Sequence, residues 1–148
     1  MKFIHLTDTH LIEGGGDLYG SNPNQRLRQA VAHFMVHQPD AEALVITGDL
    51  AHYGEADAYK QLREILSVVN KPVYLIPGNH DRRDVIKDYF PSIECDENGF
   101  IQYTKDFGDY LVIFLDTNEP GVSWGVFCEQ RSTWLRKQLA DSTKPVLL

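Results

Sequence analysis

The spacing of apolar residues along the first half of the chain predicts a parallel α/β fold. Three short apolar runs are predicted strands, at residues 2–7, 43–47 and 73–76, and the first is expected to be buried on both faces. Between them, residues 23–38 and 55–69 repeat apolar side chains every three or four positions, the period of a helix with one buried face. This strand–helix order with short connections predicts parallel strands joined by right-handed crossovers.

The second half of the chain has a different pattern. A short helix is predicted at residues 84–90, followed by two strands, 100–107 and 110–116, whose separating Gly-Asp turn predicts an antiparallel hairpin. A helix at residues 129–140 and a strand at 145–148 complete the pattern. With 148 residues, the chain is about the length of one domain. We therefore predict one α/β domain over residues 1–148.

Polar, metal-capable residues follow each of the three parallel strands. The first strand is followed by Asp-Thr-His, the second by Gly-Asp, and the third by Pro-Gly-Asn-His-Asp. The crevice beyond the carboxyl ends of such strands is where ligands bind in open α/β sheets. Asp-Thr-His and Gly-Asp are weak by themselves, and the much rarer Gly-Asn-His-Asp could still be a capped helix start. The three together predict a metal site at one rim. The candidate residues are Asp8, His10, Asp49, Asn79, His80 and Asp81.

This mixture of side chains suits divalent metal ions. Hard and borderline ions take carboxylate oxygen and imidazole nitrogen, whereas an amide oxygen is a neutral ligand that leaves the ion acidic. One shared carboxylate such as Asp49 can hold two ions about 3.5–4 Å apart, the arrangement used for in-line displacement at phosphorus. In that chemistry a hydroxide bridging the two metals is the nucleophile, formed near neutral pH because the metals lower the pKa of water.

The motifs resemble those of the calcineurin-like metallophosphoesterases, which are D-x-H, G-D and G-N-H-[DE], then a later His and G-H-x-H. Leu18-Tyr19-Gly20, Gly54, Tyr59 and the segment at 74–81 narrow the resemblance to the class III cyclic nucleotide phosphodiesterases. The glycerophosphodiester phosphodiesterase branch is the most similar. The resemblance covers essentially the whole chain and implies the N-terminal portion of a four-layer α/β/β/α sandwich. It also implies metal-dependent hydrolysis of a small phosphodiester, either a glycerophosphodiester or a cyclic nucleotide.

The resemblance assigns four candidates to two divalent metal ions of the Fe, Mn, Zn or Co class. Asp8 and His10 would bind the first ion. Asp49 would bridge both ions, and Asn79 would bind the second. These roles come from the family and not from the spacing of the residues.

The two remaining candidates receive catalytic roles by the same resemblance. His80 would lie outside the metal ligands, where it steadies the phosphoryl oxygens or protonates the leaving alkoxide. Asp81 would orient the His80 ring, as carboxylates behind functional histidines often do.

The later His and G-H-x-H blocks have no counterpart in these 148 residues. His33 and His37 are four apart on a predicted helix without the Glu of a zinc-protease motif, so a helix surface is expected. His52 follows Asp49 closely; solvent exposure is expected, with substrate contact as the alternative. Since the chain ends in an apolar strand pattern, we expect the N-terminal half of a longer protein; the alternative is an enzyme that has lost half its site.

Composition limits the partners. A formal net charge of −7 argues against non-specific nucleic-acid binding, which needs a basic surface. Cys95 and Cys128 have no zinc-type spacing and suit a reducing compartment. No signal-peptide pattern and no apolar run near 20 residues are present, which predicts a cytoplasmic protein without membrane contact. An uncovered sheet edge makes a homo-oligomer possible.

Two other functions stay open at this point. One is a phosphomonoesterase or nuclease of the same superfamily. The other is a non-catalytic binding module with a metallophosphoesterase fold. The intact candidate residues in all three motifs argue against the binding module.

Overall fold

The computed structural model describes residues 1–148 and contains six strands and four helices, close to the predicted elements. The glycine-rich loop after the first strand contains one turn of 3-10 helix at Glu13–Gly15. In chain order the elements are β1 (Phe3–Leu6), α1 (Pro23–His37), β2 (Ala43–Thr47), α2 (Ala56–Leu66), β3 (Val73–Ile76), α3 (Arg83–Tyr89), β4 (Tyr103–Asp106), β5 (Leu111–Phe114), α4 (Glu129–Asp141) and β6 (Val146–Leu147).

The first sheet has the order β1-β2-β3 with all strands parallel, as predicted. Its central strand β2 is buried from Ala43 to Ile46. The expectation that β1 is buried on both faces is wrong: His5 is exposed, because β1 is the edge strand of this sheet. The His5 ring instead pairs with the Thr47 hydroxyl of the neighbouring strand at 2.6 Å.

Two helices, α1 and α2, share the hydrophobic core with the first sheet. The α1 helix begins where the sequence predicts, because the Asn22 side chain accepts a hydrogen bond from the Gln25 N–H at 2.8 Å. The predicted inner face of α2 is confirmed, with Tyr59 and Leu62 fully buried. The helices therefore leave the strand ends of the first sheet free to carry polar residues.

The second sheet packs against the first. Its β4–β5 pair is antiparallel, as predicted, and β6 runs parallel to β5. The Tyr74 ring of β3 lies 5.4 Å from the Phe114 ring of β5, and the Tyr103 hydroxyl donates to the Leu75 carbonyl at 2.8 Å. A mainly apolar cavity of about 360 Å³ remains between the two sheets.

The α4 helix is present as predicted but buries little apolar surface. Leu139 is 46% exposed, and the buried residue of the helix is Arg131. Trp124, in the loop before α4, is 64% exposed. None of the four helices combines the length and the hydropathy needed to cross a bilayer.

Candidate metal centre

The loops that follow β1 and β2 run side by side, and this places the candidate ligands together. The parallel pairing continues past the strands: the His10 N–H donates to the Asp49 carbonyl at 2.8 Å, and the Leu11 N–H donates to the Leu50 carbonyl at 3.0 Å. The His52 N–H then donates back to the Leu11 carbonyl at 2.8 Å. Residues on the two loops are therefore held in register by their backbones.

The backbone is strained at the candidate ligands. Asp8, His10 and Asp49 have φ values of 55°, 45° and 49°, in the left-handed region that non-glycine residues rarely occupy. Such a conformation costs on the order of 1–3 kcal/mol per residue and is found mainly at functional sites. The chain keeps this strain at all three positions, which argues that their side-chain directions matter.

Two motif glycines make the close approach of the second and third loops possible. A Cβ atom on Gly48 would lie 2.8 Å from the Gly78 Cα, and one on Gly78 would lie 2.2 Å from Asp49 Oδ1. Any side chain at either position would therefore push the two loops apart.

We refer to Asp8, His10 and Asp49 as the acidic centre. His10 Nε2 lies 3.6 Å from Asp8 Oδ1 and 3.7 Å from Asp49 Oδ2, and one ligand atom from each of the three residues lies within 4.8 Å of the others. The only ion-pair contacts of the two carboxylates are with His10, so no lysine or arginine neutralises them. Two carboxylates and an imidazole fit a divalent ion of the Mn or Zn type.

His80 lies next to the acidic centre. Its backbone N–H donates to Asp49 Oδ1 at 3.1 Å, and its ring is edge-on to the His10 ring with centroids 4.8 Å apart. His80 Nδ1 contacts the His52 carbonyl at 2.6 Å. A carbonyl can only accept, so Nδ1 carries a proton and Nε2 is left for other chemistry.

Asp81 does not orient the His80 ring, and the expected role is wrong. Its carboxylate accepts hydrogen bonds from the N–H groups of Gly78, Leu50 and Ala51 at 2.8–3.0 Å, and from the Tyr59 hydroxyl at 2.9 Å. Burial raises the pKa of Asp81, and these four donors oppose the rise. Asp81 therefore joins the second and third loops, while the His52 carbonyl holds the His80 ring.

Asn79 is exposed at the end of β3. It lines a cleft of about 210 Å³ together with Gly78, Thr117 and Trp124. Its position is open to a ligand, and its role as a ligand of the second metal stays a prediction.

Two arginines follow the third motif, and both pair with carboxylates of this chain. Arg82 pairs with Asp84 at the surface. Arg83 makes a two-pronged ion pair with the buried Asp116, at 2.5 and 2.7 Å.

The expectation that His52 is exposed to solvent is wrong. Only 9% exposed, its ring lies 5.1 Å from the His10 ring and 5.1 Å from the His80 ring. Burial lowers the pKa of His52, and the neighbouring His10 and His80 rings lower it further. The sequence signal for a buried His52 is the apolar pair Leu50-Ala51 directly before it. Ala51 pairs with Leu11 of the first loop, and this parallel pairing turns the His52 side chain inward.

The remaining histidine pair has the predicted surface position. His33 and His37 are exposed on α1, with ring centroids 4.3 Å apart. They belong to a different part of the molecule from the acidic centre.

Comparisons with known proteins point to one family. The model of the calcineurin-like phosphoesterase family matches residues 1–146. A probable cyclic nucleotide phosphodiesterase of Rhodopseudomonas palustris is 40% identical, with 100% of this chain and 56% of the relative covered. A probable glycerophosphodiester phosphodiesterase of Arcobacter nitrofigilis is 29% identical, over 94% of this chain and 52% of the relative. The chain thus spans about half the length of the curated relatives it matches.

A solved structure shows the same fold. The purple acid phosphatase from yellow lupin seeds superimposes with a TM-score of 0.64 at 14% identity, covering 95% of this chain and 27% of that chain. At this identity the likeness establishes the fold alone. It confirms the predicted α/β architecture of the N-terminal portion of a metallophosphoesterase sandwich.

Proposed function

Because the chain belongs to the calcineurin-like phosphoesterase family, we propose that its acidic centre binds divalent metal ions and serves the hydrolysis of a small phosphodiester. The observation that carries this proposal is the pair of unneutralised carboxylates, Asp8 and Asp49, on either side of one imidazole nitrogen. Like charges held this close destabilise a fold unless a cation joins them. A bound divalent ion removes that repulsion.

The candidate ligands belong to two metal positions. Asp8, His10 and Asp49 would hold one ion, and Asp49 with Asn79 would hold a second. Ions bound there polarise a phosphoryl oxygen and lower the pKa of bound water. The carboxylates fix the position of the ions, because their backbones are held by the paired loops described above.

His80 supplies the proton chemistry. Its Nδ1–H is held by the His52 carbonyl, so its Nε2 is the nitrogen available for exchange. In the protonated ring, Nε2–H stabilises negative charge on the phosphoryl oxygens or donates its proton to the leaving alkoxide. This role needs no contact between His80 and the metal.

A diester is the favoured substrate class because of the relatives. The two relatives described above are named as phosphodiesterases of cyclic nucleotides and of glycerophosphodiesters, and a third, from Escherichia coli, is named as a 3',5'-cyclic adenosine monophosphate phosphodiesterase. A nuclease is disfavoured by the net charge of −7. A phosphomonoesterase and a non-catalytic binding module are the outcomes that the following test separates.

The test uses the natural protein, whatever its full length, after chelation and after reloading with Mn²⁺. Hydrolysis of bis(p-nitrophenyl) phosphate and of p-nitrophenyl phosphate is compared at equal metal content. We expect activity only in the reloaded protein, and faster with the diester. Preference for the monoester would contradict the diesterase assignment, and metal uptake without any hydrolysis would make the protein a binding module.

A further inference from the structure

His52 contacts both histidines of the candidate site through different groups. Its Nδ1 lies 3.2 Å from His10 Nδ1, and its backbone carbonyl accepts from His80 Nδ1 at 2.6 Å. The ring is held in place by the edge of Tyr53, with centroids 4.3 Å apart, and by stacking on His80. A buried ring with this many fixed neighbours has little freedom to turn away from His10.

The contact between the two Nδ1 atoms requires one proton between them. Two imidazole nitrogens at this distance form a hydrogen bond only if one donates and the other accepts. His10 Nε2 is the nitrogen that faces the carboxylates of Asp8 and Asp49. For Nε2 to present a lone pair to a cation, the proton of His10 must be on Nδ1, and His52 Nδ1 must be the acceptor.

We propose that His52 is a positioning residue that holds His10 in the tautomer whose Nε2 lone pair faces Asp8 and Asp49. This inference rests on the proposed function, in which His10 binds a divalent ion through Nε2. Partners of this kind behind metal-binding histidines typically change metal affinity by 10–100-fold when they are removed. The backbone carbonyl of His52 fixes the tautomer of His80 and is kept in every variant at this position. A side-chain substitution therefore removes the hydrogen bond to His10 and the stacking on His80, but not the hydrogen bond that sets the His80 tautomer.

A different role for His52 is as a metal ligand. Ligand atoms of His10, His52 and His80 also lie within 4.8 Å of one another. In that arrangement a nitrogen of His52 would bind the ion itself. An asparagine at position 52 keeps the hydrogen bond, because its Oδ1 is bonded to Cγ as Nδ1 is in histidine and can accept the same proton. Since an amide oxygen can itself bind a metal, the positions of the ring protons then separate the two roles: a His52 that accepts at Nδ1 and carries its proton on Nε2 has no nitrogen free for the ion.

The test compares His52→Asn, His52→Leu and the surface control His33→Leu by Mn²⁺ calorimetry. We expect His52→Leu to weaken the Mn²⁺ Kd by about 10–100-fold, and His52→Asn and His33→Leu to stay within about threefold of the unsubstituted protein. Unchanged affinity in His52→Leu would overturn the proposal. Equal losses in His52→Asn and His52→Leu would also overturn it, in favour of direct ligation.

A second measurement does not depend on metal binding or on the folding of a variant. Long-range ¹⁵N–¹H correlations of the imidazole rings are recorded on the metal-free protein at alkaline pH, where the rings are neutral. We expect the His10 proton on Nδ1 and the His52 proton on Nε2. A His10 proton on Nε2 would overturn the proposal, whereas failure of the unsubstituted protein to bind Mn²⁺ would count against the proposed function and leave this reading of the tautomer intact.

Discussion

The acidic centre and a second charged cluster lie close together in this molecule but are built in opposite ways. The second, here named the arginine cluster, consists of Arg83, Asp116, Asn118 and Arg131. In it, Asp116 is fully buried and is neutralised by Arg83, while the Arg131 guanidinium donates to the Asn118 carbonyl at 2.6 Å. The acidic centre has two carboxylates, neither with an arginine or lysine partner, and the Asp8 side chain is 59% exposed.

The two clusters have different roles: the arginine cluster stabilises the fold, and the acidic centre is the candidate site of metal chemistry. Buried charges are tolerated when they are paired and hydrogen-bonded, which describes the Arg83–Asp116 pair of the arginine cluster. That cluster also supports the site, because the Asn118 amide donates to the Gly78 carbonyl and, at 3.3 Å, to the Asp81 carbonyl. Two neighbouring carboxylates without a lysine or arginine partner are a feature that a bound cation explains.

The largest effect is expected from Asp49→Asn. The asparagine keeps the size of the side chain but removes the charge that both metal positions share. We expect turnover of the diester by the natural protein to fall below detection at any Mn²⁺ concentration tested. The matched control is Asp40→Asn, a change at an exposed ion pair with Lys2, which should leave turnover unaltered. Substantial turnover by Asp49→Asn would remove the bridging assignment.

His80→Ala tests the proton chemistry next to the acidic centre. We expect kcat to fall by about 10²–10⁴, the range for a general acid or an oxyanion group. Bound Mn²⁺ should stay near the unsubstituted level, as measured by elemental analysis after gel filtration. A parallel loss of metal and activity would make His80 a ligand instead.

Asp116→Ala breaks the arginine cluster. It leaves the Arg83 guanidinium partly buried without its carboxylate, and removing one partner of a buried pair typically costs about 3–5 kcal/mol. We expect the free energy of unfolding in urea to fall by about that amount. The exposed Lys2–Asp40 pair is the comparison, and Asp40→Asn should not move the urea midpoint. Equal midpoints for the two variants would show that the arginine cluster is not structural.

Tyr59→Phe should have the smallest effect. The buried Tyr59 hydroxyl donates to Asp81 and accepts from the Arg82 N–H at 2.9 Å, so its loss leaves two polar groups short of a partner. We expect destabilisation of about 1–3 kcal/mol by urea denaturation. Tyr53→Phe, at a side chain that is 67% exposed, is the control. No difference between the two variants would mean that the Asp81 carboxylate needs only its backbone donors.

The elements of the first sheet were predictable because short apolar runs mark its strands, although the pattern did not show that His5 on the edge strand is exposed. The β2 and β3 bounds were predicted without error, and the strand ends brought Asp8, His10 and Asp49 together as expected. The family resemblance also gave Asp81 a role, orienting the His80 ring, that its hydrogen bonds do not support.

The errors concern side chains whose partners are distant in sequence. Asp81 follows His80 directly, yet its carboxylate bonds to residues about 30 positions earlier. Arg83 likewise pairs 33 positions away, and His52 is buried by the register of two loops. No local pattern determines such contacts, because they depend on how the loops of neighbouring strands align.

The central claim is that the acidic centre is a cation site, and calorimetric titration of these 148 residues with Mn²⁺ tests it most directly. We predict one tightly bound ion per chain of 148 residues, because at the second position Asp49 and the neutral Asn79 supply a single charge against the dehydration of an ion. Asp49→Asn should abolish the binding heat, and Asp40→Asn should preserve it. Absence of binding by the unsubstituted chain, or unchanged binding by Asp49→Asn, would contradict the claim.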